Sequence, residues 1–323
     1  MSKYKQFRPD RINDYSLRNR PSKVHQSQFA RPFTGDSFQE FLASLPDILA
    51  AADIKELAQR IAAARSRDRA IIWALGGHVI KTGLAPLLIH LLKEGFVTAI
   101  ATNGSVIIHD FEIAYCGSTS EDVEEQLGSG AFGMARETGQ FLNEAINRGA
   151  DQDTGIGEAV GRYLQSCALD FPDYSLVLQA YQQDVPFTVH AAYGTDIIHN
   201  HPRASGASLG KCTEIDYRIF TQEVSRLHDG GVFINVGSAV LLPEVFLKAV
   251  SAVRNSGQEL SGFSTANFDF LQHYRPTQNV VNRPLEGDGK GFAITGHHEL
   301  TIPLLAGILL NLNEPTESTR SGA

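Results

Sequence analysis

Ala70-Ile71-Ile72-Trp73-Ala74-Leu75-Gly76-Gly77 is an unbroken apolar run closed by two glycines and preceded by the charged segment Arg65-Ser66-Arg67-Asp68-Arg69. A run this short, bounded by charge and glycine, reads as a strand buried on both faces. Beyond it Leu84, Leu87, Leu88, Leu91 and Leu92 recur at spacings of three and four, which predicts a helix from about Gly83 to Lys93 with Gly95 just past its end. Val97 to Ala101 is a second apolar run, closing at Thr102-Asn103-Gly104-Ser105. Strand, turn, helix, strand is a βαβ unit, whose strands are parallel and whose crossover is right-handed. Ligands in such sheets bind beyond the carboxyl ends of the strands. The corners Gly76-Gly77 and Asn103-Gly104 are therefore expected side by side on that edge, cradling a pyrophosphate with their backbone N–H groups. The rival reading is that these glycines only make tight turns, since no GxGxxG follows the first strand.

Working outward, Phe38, Phe41, Leu42, Leu45, Ile48, Leu49, Leu57 and Ile61 predict two helices before the first strand. After the βαβ unit, Val106 to Glu112 opens a helix above the sheet edge, Ser120 caps another, and Glu137 to Asn147 is a further one. Gly155-Ile156-Gly157-Glu158-Ala159-Val160-Gly161 imitates a dinucleotide fingerprint. The polar segment Arg148 to Asp153 before it cannot be the feeding strand, so a helix capped by Asp153 or Thr154 is the expectation. Strands follow at Val185 to Ala192, Gly231 to Val236, Phe263 to Phe268 and Gly291 to Thr295, with helices at Asp216 to Leu227, at Pro243 to Arg254 and after His298. The pattern predicts one α/β domain, residues 33–315, built on a doubly wound, mostly parallel Rossmann-like sheet. A basic arm, residues 1–32, precedes it and a polar tail, residues 316–323, follows. The arm carries Lys3, Lys5, Arg8, Arg11, Arg18, Arg20, Lys23 and Arg31 against Asp10 and Asp14, and reads as surface-draped or as reaching to a partner subunit.

A chain of 323 residues can bury a large core, and its 42% hydrophobic and 20% charged residues are ordinary for a globular protein. The net charge of −8 argues against nucleic acid as a partner. Cys116, Cys167 and Cys212 are far apart, with no metal-binding pair and no disulfide framework, which fits a reducing compartment. No apolar run reaches the roughly 18 to 20 residues of a membrane helix, and the polar, basic N-terminus lacks the apolar stretch of a signal peptide. The expectation is a cytoplasmic protein with no membrane partner.

Polar residues collect at the expected strand ends: His78, Lys81, Asn103, His109, Asp110, Asp196, His199, His201, Glu244, Asp269, His297 and His298. A rigid sheet positions such residues as an active-site rim. His199 and His201 could start a metal site, completed by His297-His298 or His109 and Asp110, although no tight metal motif is present. Lys81 and Lys211 lie near glycine-rich turns and are candidates for a covalent lysine if burial lowers their pKa.

In order and spacing, several of these segments resemble deoxyhypusine synthase, over roughly Ala70 to Leu310. Gly77-His78-Val79-Ile80-Lys81-Thr82-Gly83 is similar to that family's first NAD loop, and Ala101-Thr102-Asn103-Gly104-Ser105 to its Thr-Thr-Ala-Gly-Gly turn. Gly194-Thr195-Asp196-Ile197-Ile198 resembles Leu-Gly-Asp-Met-Ile, whose aspartate contacts the polyamine. Asn235-Val236-Gly237-Ser238 falls where the family has a triple glycine, Ser264 to Asp269 resembles Asn-Thr-Ala-Gln-Glu-Phe-Asp, and Ile302-Pro303-Leu304-Leu305 matches its closing helix. The resemblance implies a Rossmann-like homotetramer that uses NAD and acts as a transferase on a polyamine, with sites between subunits. It implies cofactor contacts at Gly77, His78, Thr82, Thr102, Asn103, Gly104, Gly237, Ser238, Thr265, Ala266 and Asp269.

The departures are as informative. Val281-Asn282-Arg283-Pro284 stands near where the family has Trp-Gly-Lys, and a guanidinium cannot form an imine. The family's catalytic histidine falls near Pro243-Glu244, and its aspartate near His297. True deoxyhypusine synthesis is therefore not expected. The expectation is an NAD-dependent enzyme that oxidises a small amine or alcohol, transiently, ahead of transfer or elimination. Asp196 would hold a cationic amine, one of His109, His201 or His297 would act as base, and Glu244 and Asp269 would orient substrate or ribose. The rivals are a metal-dependent lyase or hydrolase using His199 and His201, and a non-catalytic NAD-binding protein on the same scaffold.

Overall fold

The computed structural model describes residues 2–312; the predicted tail at 316–323 lies outside them. Its six strands are β1 Ile71–Leu75, β2 Ala99–Asn103, β3 Phe187–His190, β4 Val232–Val236, β5 Ser264–Asp269 and β6 Gly291–Thr295. They form one sheet in the order β3-β2-β1-β4-β5-β6, and every neighbouring pair is parallel. This is a doubly wound Rossmann-like α/β fold. The order reverses between β1 and β4, and the crevice there is where such sheets bind ligands.

The helices are α1 Phe38–Ser44, α2 Leu49–Ser66, α3 Gly77–Lys81, α4 Ala85–Lys93, α5 Gly104–Cys116, α6 Val123–Leu127, α7 Arg136–Asp151, α8 Ile156–Gln165, α9 Leu176–Gln182, α10 Gly206–Ser225, α11 Leu241–Asn255, the short α12 Tyr274–Pro276 and α13 His298–Asn311. A π-helical stretch, Thr277–Asn282, continues α12. None is long and apolar enough to cross a membrane among the described residues.

β1 organises both layers because it is buried throughout and its side chains alternate. Ile71, Trp73 and Leu75 enter one core with α2, α4, α5, α7, α8, α9 and α13. Ile72 and Ala74 enter the other with Phe220 of α10 and Phe246 of α11. Trp73 is fully buried, and its indole N–H donates to the Phe96 carbonyl at 3.0 Å, which satisfies its single polar atom. At roughly 25 cal/mol per Å² such an aromatic is worth several kcal/mol of burial.

The structure departs from the sequence reading in four places. Asp122, not Ser120, caps α6, accepting the Glu124 and Glu125 N–H groups at 3.1 and 3.2 Å. Gly76-Gly77 is not a bare turn: Gly76 is the N-cap of the short α3, which the sequence reading left out. α10 starts at Gly206, ten residues before the expected Asp216, because Ser205 caps it through the Ser208 N–H. The N-cap of α8 is Gly155, with no side-chain cap of its own. Its first N–H groups are bound instead by Asp216 of α10, at 2.9 Å from Ile156 and 3.3 Å from Gly157.

Candidate functional site

The carboxyl ends of β1, β2 and β3 surround a cavity of about 210 Å³ lined by Lys81, Ser105, His109, Glu112, Thr195 and Asp196, with Glu121 from the loop after α5 and Phe132 from the loop after α6 closing it. A larger cavity of about 580 Å³ sits against Pro186 and Phe187 at the amino end of β3, away from the edge where the strands deliver these polar groups. The smaller one carries the chemistry.

α5 places His109 on its cavity face, with Glu112 three residues on. His109 Nδ1 lies 2.7 Å from Thr119 Oγ1, whose hydroxyl is committed as donor to Glu112 Oε2 at 2.5 Å. A hydroxyl has one proton, so Thr119 accepts from His109 and the imidazole proton sits on Nδ1. The Nε2 lone pair is left free of that network. Thr138 donates to the other Glu112 oxygen at 2.9 Å, which locks the carboxylate. Burial, helped by the nearby Lys81 charge, lowers the His109 pKa to about 4, so the ring is neutral near pH 7.

Asp196 comes from the loop after β3 and reaches the first residue of α5. A Cβ built on Gly104 would lie 2.2 Å from Asp196 Oδ2. Its side chain is only 6% exposed, and burial raises its pKa, while His199 and then Thr195 oppose that rise. The N-terminus of α5 has no side-chain cap hydrogen bond, and its dipole favours a negative charge where Asp196 stands.

This corrects the expected pyrophosphate cradle. Gly77 and Gly104 do terminate neighbouring strands, but the space beside each is filled. The Gly77 position faces Ser105 Oγ at 2.3 Å, and the Gly104 position faces the Asp196 carboxylate. An anion would meet a carboxylate at that corner. The other glycine pair is at the β1/β4 reversal, where a Cβ on Gly76 would lie 2.2 Å from the Gly237 carbonyl oxygen. Gly237 has φ +66°, a conformation that costs glycine little, and His298 packs over it.

The remaining candidates divide. Asp269 ends β5, buried, accepting from the Phe270 N–H at 2.8 Å. Exposed His78 meets buried His298 edge-on at 5.6 Å. Ser238 caps the Leu242 N–H at 3.3 Å, and Asn103 accepts from Ser105 Oγ at 2.9 Å. His297 is on the same edge, its side chain 67% exposed, stacked on Phe270. Others are elsewhere. Glu244 is a surface residue bound to Lys248, Arg275 and Asn279, and Lys248 first, then Arg275, hold its pKa down. His201 packs on Gly139 of α7 and accepts from the Arg203 N–H. Thr82 ends α3 by bonding the His78 and Val79 carbonyls. Thr102 bonds Thr188 inside the sheet, and Thr265 and Ala266 are buried toward the amino end of β5. Residue type and segment pointed to these positions; pleat or strand end turns Thr102, Thr265 and Ala266 away, while Glu244, His201 and Thr82 stand on helices or turns off the strands.

No three metal-ligating side chains converge among the described residues. His199 Nδ1 is occupied by two backbone N–H groups, and His201 faces α7. Lys211 pairs with Asp153 at 2.6 Å, which raises its pKa, the opposite of what an imine-forming lysine needs. Sequence reading passed over Ser105, Glu112 and Thr119 as site residues. Only Glu112, at i+3 from His109, had a local signal.

A family model described as arginine dihydrolase ArgZ-like, C-terminal, Rossmann fold matches residues 55–160, about a third of the chain. No curated protein sequence matches. Among solved structures, apo ArgZ, an arginine dihydrolase from the ornithine-ammonia cycle in cyanobacteria, is 16% identical with a TM-score of 0.51, covering 82% of this chain and 33% of its own. AgrE in its ternary complex with ornithine and NAD+ is 14% identical with a TM-score of 0.53, covering 80% and 33%. A candidate deoxyhypusine synthase from Entamoeba histolytica is 12% identical with a TM-score of 0.53, covering 87% and 96%. The chain thus spans about a third of the length of ArgZ and AgrE. At these identities the likeness is one of fold: the chain has the Rossmann-like architecture common to all three.

Proposed function

We propose that the chain is an NAD-dependent enzyme acting on a small cationic amine. One observation carries the reading: a buried carboxylate, a neutral imidazole with a free lone pair and an ammonium group line a single cavity at the carboxyl ends of β1 to β3. Asp196, at a helix N-terminus, is suited to hold an ammonium head by a charge-assisted hydrogen bond. His109 Nε2 is suited to accept a proton from the amine or an adjacent hydroxyl, with Thr119 and Glu112 keeping the required tautomer. A cavity of about 210 Å³ suits a small substrate and not a dinucleotide.

The residues at the β1/β4 reversal fit a dinucleotide. Gly76 and Gly237 bring backbone close without side chains, Asp269 offers a buried carboxylate, and His298 Nδ1 is a buried acceptor with no partner among the described residues. NAD would supply a hydride acceptor beside the cavity. Support for this cofactor comes also from AgrE, whose structure of the same fold holds NAD+ with ornithine. The resemblance to deoxyhypusine synthase adds the proposal of a homotetramer.

Calorimetry with NAD and NADH, followed by mass spectrometry of putrescine, spermidine or ornithine incubated with protein and NAD, tests this. Binding of the dinucleotide and turnover of one amine supports it. Silence toward both dinucleotides overturns the cofactor assignment, and binding without any amine turnover favours the non-catalytic rival.

A further inference from the structure

His199 belongs to the short 3-10 turn Ile197–Asn200 that follows Asp196. Its ring is buried and stacks on Tyr193, with ring centroids 4.9 Å apart. Nδ1 accepts the backbone N–H of Gly194 at 3.0 Å and that of Asp196 at 3.2 Å. A nitrogen that accepts holds its lone pair, so the proton of the neutral ring is on Nε2. That N–H is buried without a partner among the described residues, and it lies 3.9 Å from Asp196 Oδ2. Buried donors are nearly always bonded, so an orphan facing a carboxylate needs a reason.

The two oxygens of Asp196 have different surroundings. Oδ2 is enclosed by Gly104, by Thr195 Oγ1 at 3.4 Å and by His199. Oδ1 receives no side-chain hydrogen bond from the described residues, the Asp196 side chain sits over the His199 backbone N–H in the capping box of the turn, and Asp196 lines the cavity. We propose that His199 is a positioning residue for Asp196: its Nε2–H steadies the inner oxygen, keeps the carboxylate ionised in its buried place, and leaves Oδ1 to receive the ammonium head of a small primary amine. The separation of 3.9 Å is beyond hydrogen-bond reach, so the pair is open. The terminal torsion of aspartate is soft, and a modest turn of the carboxylate closes the gap when a cation draws on Oδ1. The amine in this proposal rests on the function proposed above; the hold of His199 on Asp196 does not. Other charged or titratable groups facing Asp196 across the cavity are Lys81 of α3, His109 and Glu112 of α5 and Glu121 of the following loop.

Three variants separate the roles of the two ring nitrogens. The amide of asparagine reproduces the Nδ1 acceptor that organises the turn and lacks the distal donor. The amide of glutamine reproduces the Nε2 donor. His199→Phe keeps the ring stack and loses both. Putrescine is titrated calorimetrically into the full chain and each variant, and the Asp196 carboxyl is titrated by carbon NMR without amine. The expected result is binding about tenfold weaker in His199→Asn, near wild type in His199→Gln, and an Asp196 titration moved upward in His199→Asn and His199→Phe alone. Unchanged binding and an unchanged Asp196 titration in His199→Asn, or loss of binding in His199→Gln, overturns the proposal. If His199→Asn does not fold, the titration in His199→Phe decides. If wild type does not bind putrescine, the amine reading fails, while the carboxyl titration still judges His199.

Discussion

Asp196 and Gly104 are in direct contact, the carboxylate of one lying where any side chain on the other would begin, with 2.2 Å left for a Cβ. Two loops meet through this pair, and the negative charge sits at the start of α5. Gly104→Ala is expected to displace Asp196 and weaken amine binding about tenfold or more, with a cost to folding of about 1 to 3 kcal/mol for overpacking. Paired calorimetry and thermal melts check it. NAD binding should change far less, because the β1/β4 crevice is not touched.

Asp196→Asn keeps shape and removes charge. An ammonium head then loses its ionic partner, and affinity for putrescine should fall by about tenfold to a hundredfold. Because a buried carboxylate is costly, the same variant should be as stable as wild type or more so in denaturant titrations near neutral pH. A variant that binds putrescine as well as wild type removes Asp196 from the site.

His109→Gln should lower kcat by about a hundredfold or more with little change in melting temperature. Burial first, and Lys81 second, lower the pKa of this histidine to about 4. The free-enzyme profile of kcat/KM should therefore show no limb from His109 between about pH 5 and pH 8. Thr119→Val removes the acceptor that sets the tautomer, and should reduce kcat while leaving KM nearly unchanged. A pH profile with a limb near the ordinary histidine value would contradict this assignment of the base.

Asp216 joins α10 to α8 and to β3, accepting from Ile156, Gly157 and Val189. Burial raises its pKa from 3.8 to about 7, against the pull of those backbone bonds. A carboxyl with a raised folded pKa contributes stability that is complete below its unfolded value and lost as pH rises through the folded one. The stability difference between wild type and Asp216→Asn should therefore shift against wild type between about pH 4 and pH 7, by an amount on the order of a few kcal/mol. Asp216→Ala, which strands the backbone donors, should destabilise by about 3 kcal/mol at any pH. Denaturant unfolding across that pH range measures both, and a flat difference for Asp216→Asn would sink the linkage.

Much of the architecture was legible before any coordinates. Ala70 to Leu75 and Val97 to Ala101 declared buried parallel strands by being apolar without alternation, and Leu84 to Leu92 declared a helix by its period. The βαβ reading, the doubly wound sheet and the dismissal of Gly155 to Gly161 as a fingerprint all agree with the fold. α3 was missed because Gly77 to Lys81 is too short to have a period. The cap of α8 was misassigned because Asp216 is remote in sequence and looks like any polar helix residue.

The candidate site was less legible. His109 and Asp196 were picked out by type and by lying past strand ends, and both line the cavity; Glu244, picked out the same way, is on the surface. Thr265 and Ala266 were chosen from a resembling segment, but they enter β5 at the end opposite the ligand edge.

The chain by itself determined the strands, most of the helices and the two faces that each core needs, because period and burial are properties of neighbouring residues. Only the tertiary structure decided that Asp196 fills the corner at Gly104, that Thr119 orients His109, and that Gly76 packs backbone to backbone against Gly237. Those contacts join loops far apart in sequence, and their existence depends on the path of the backbone and the direction of each side chain, neither of which a local pattern encodes.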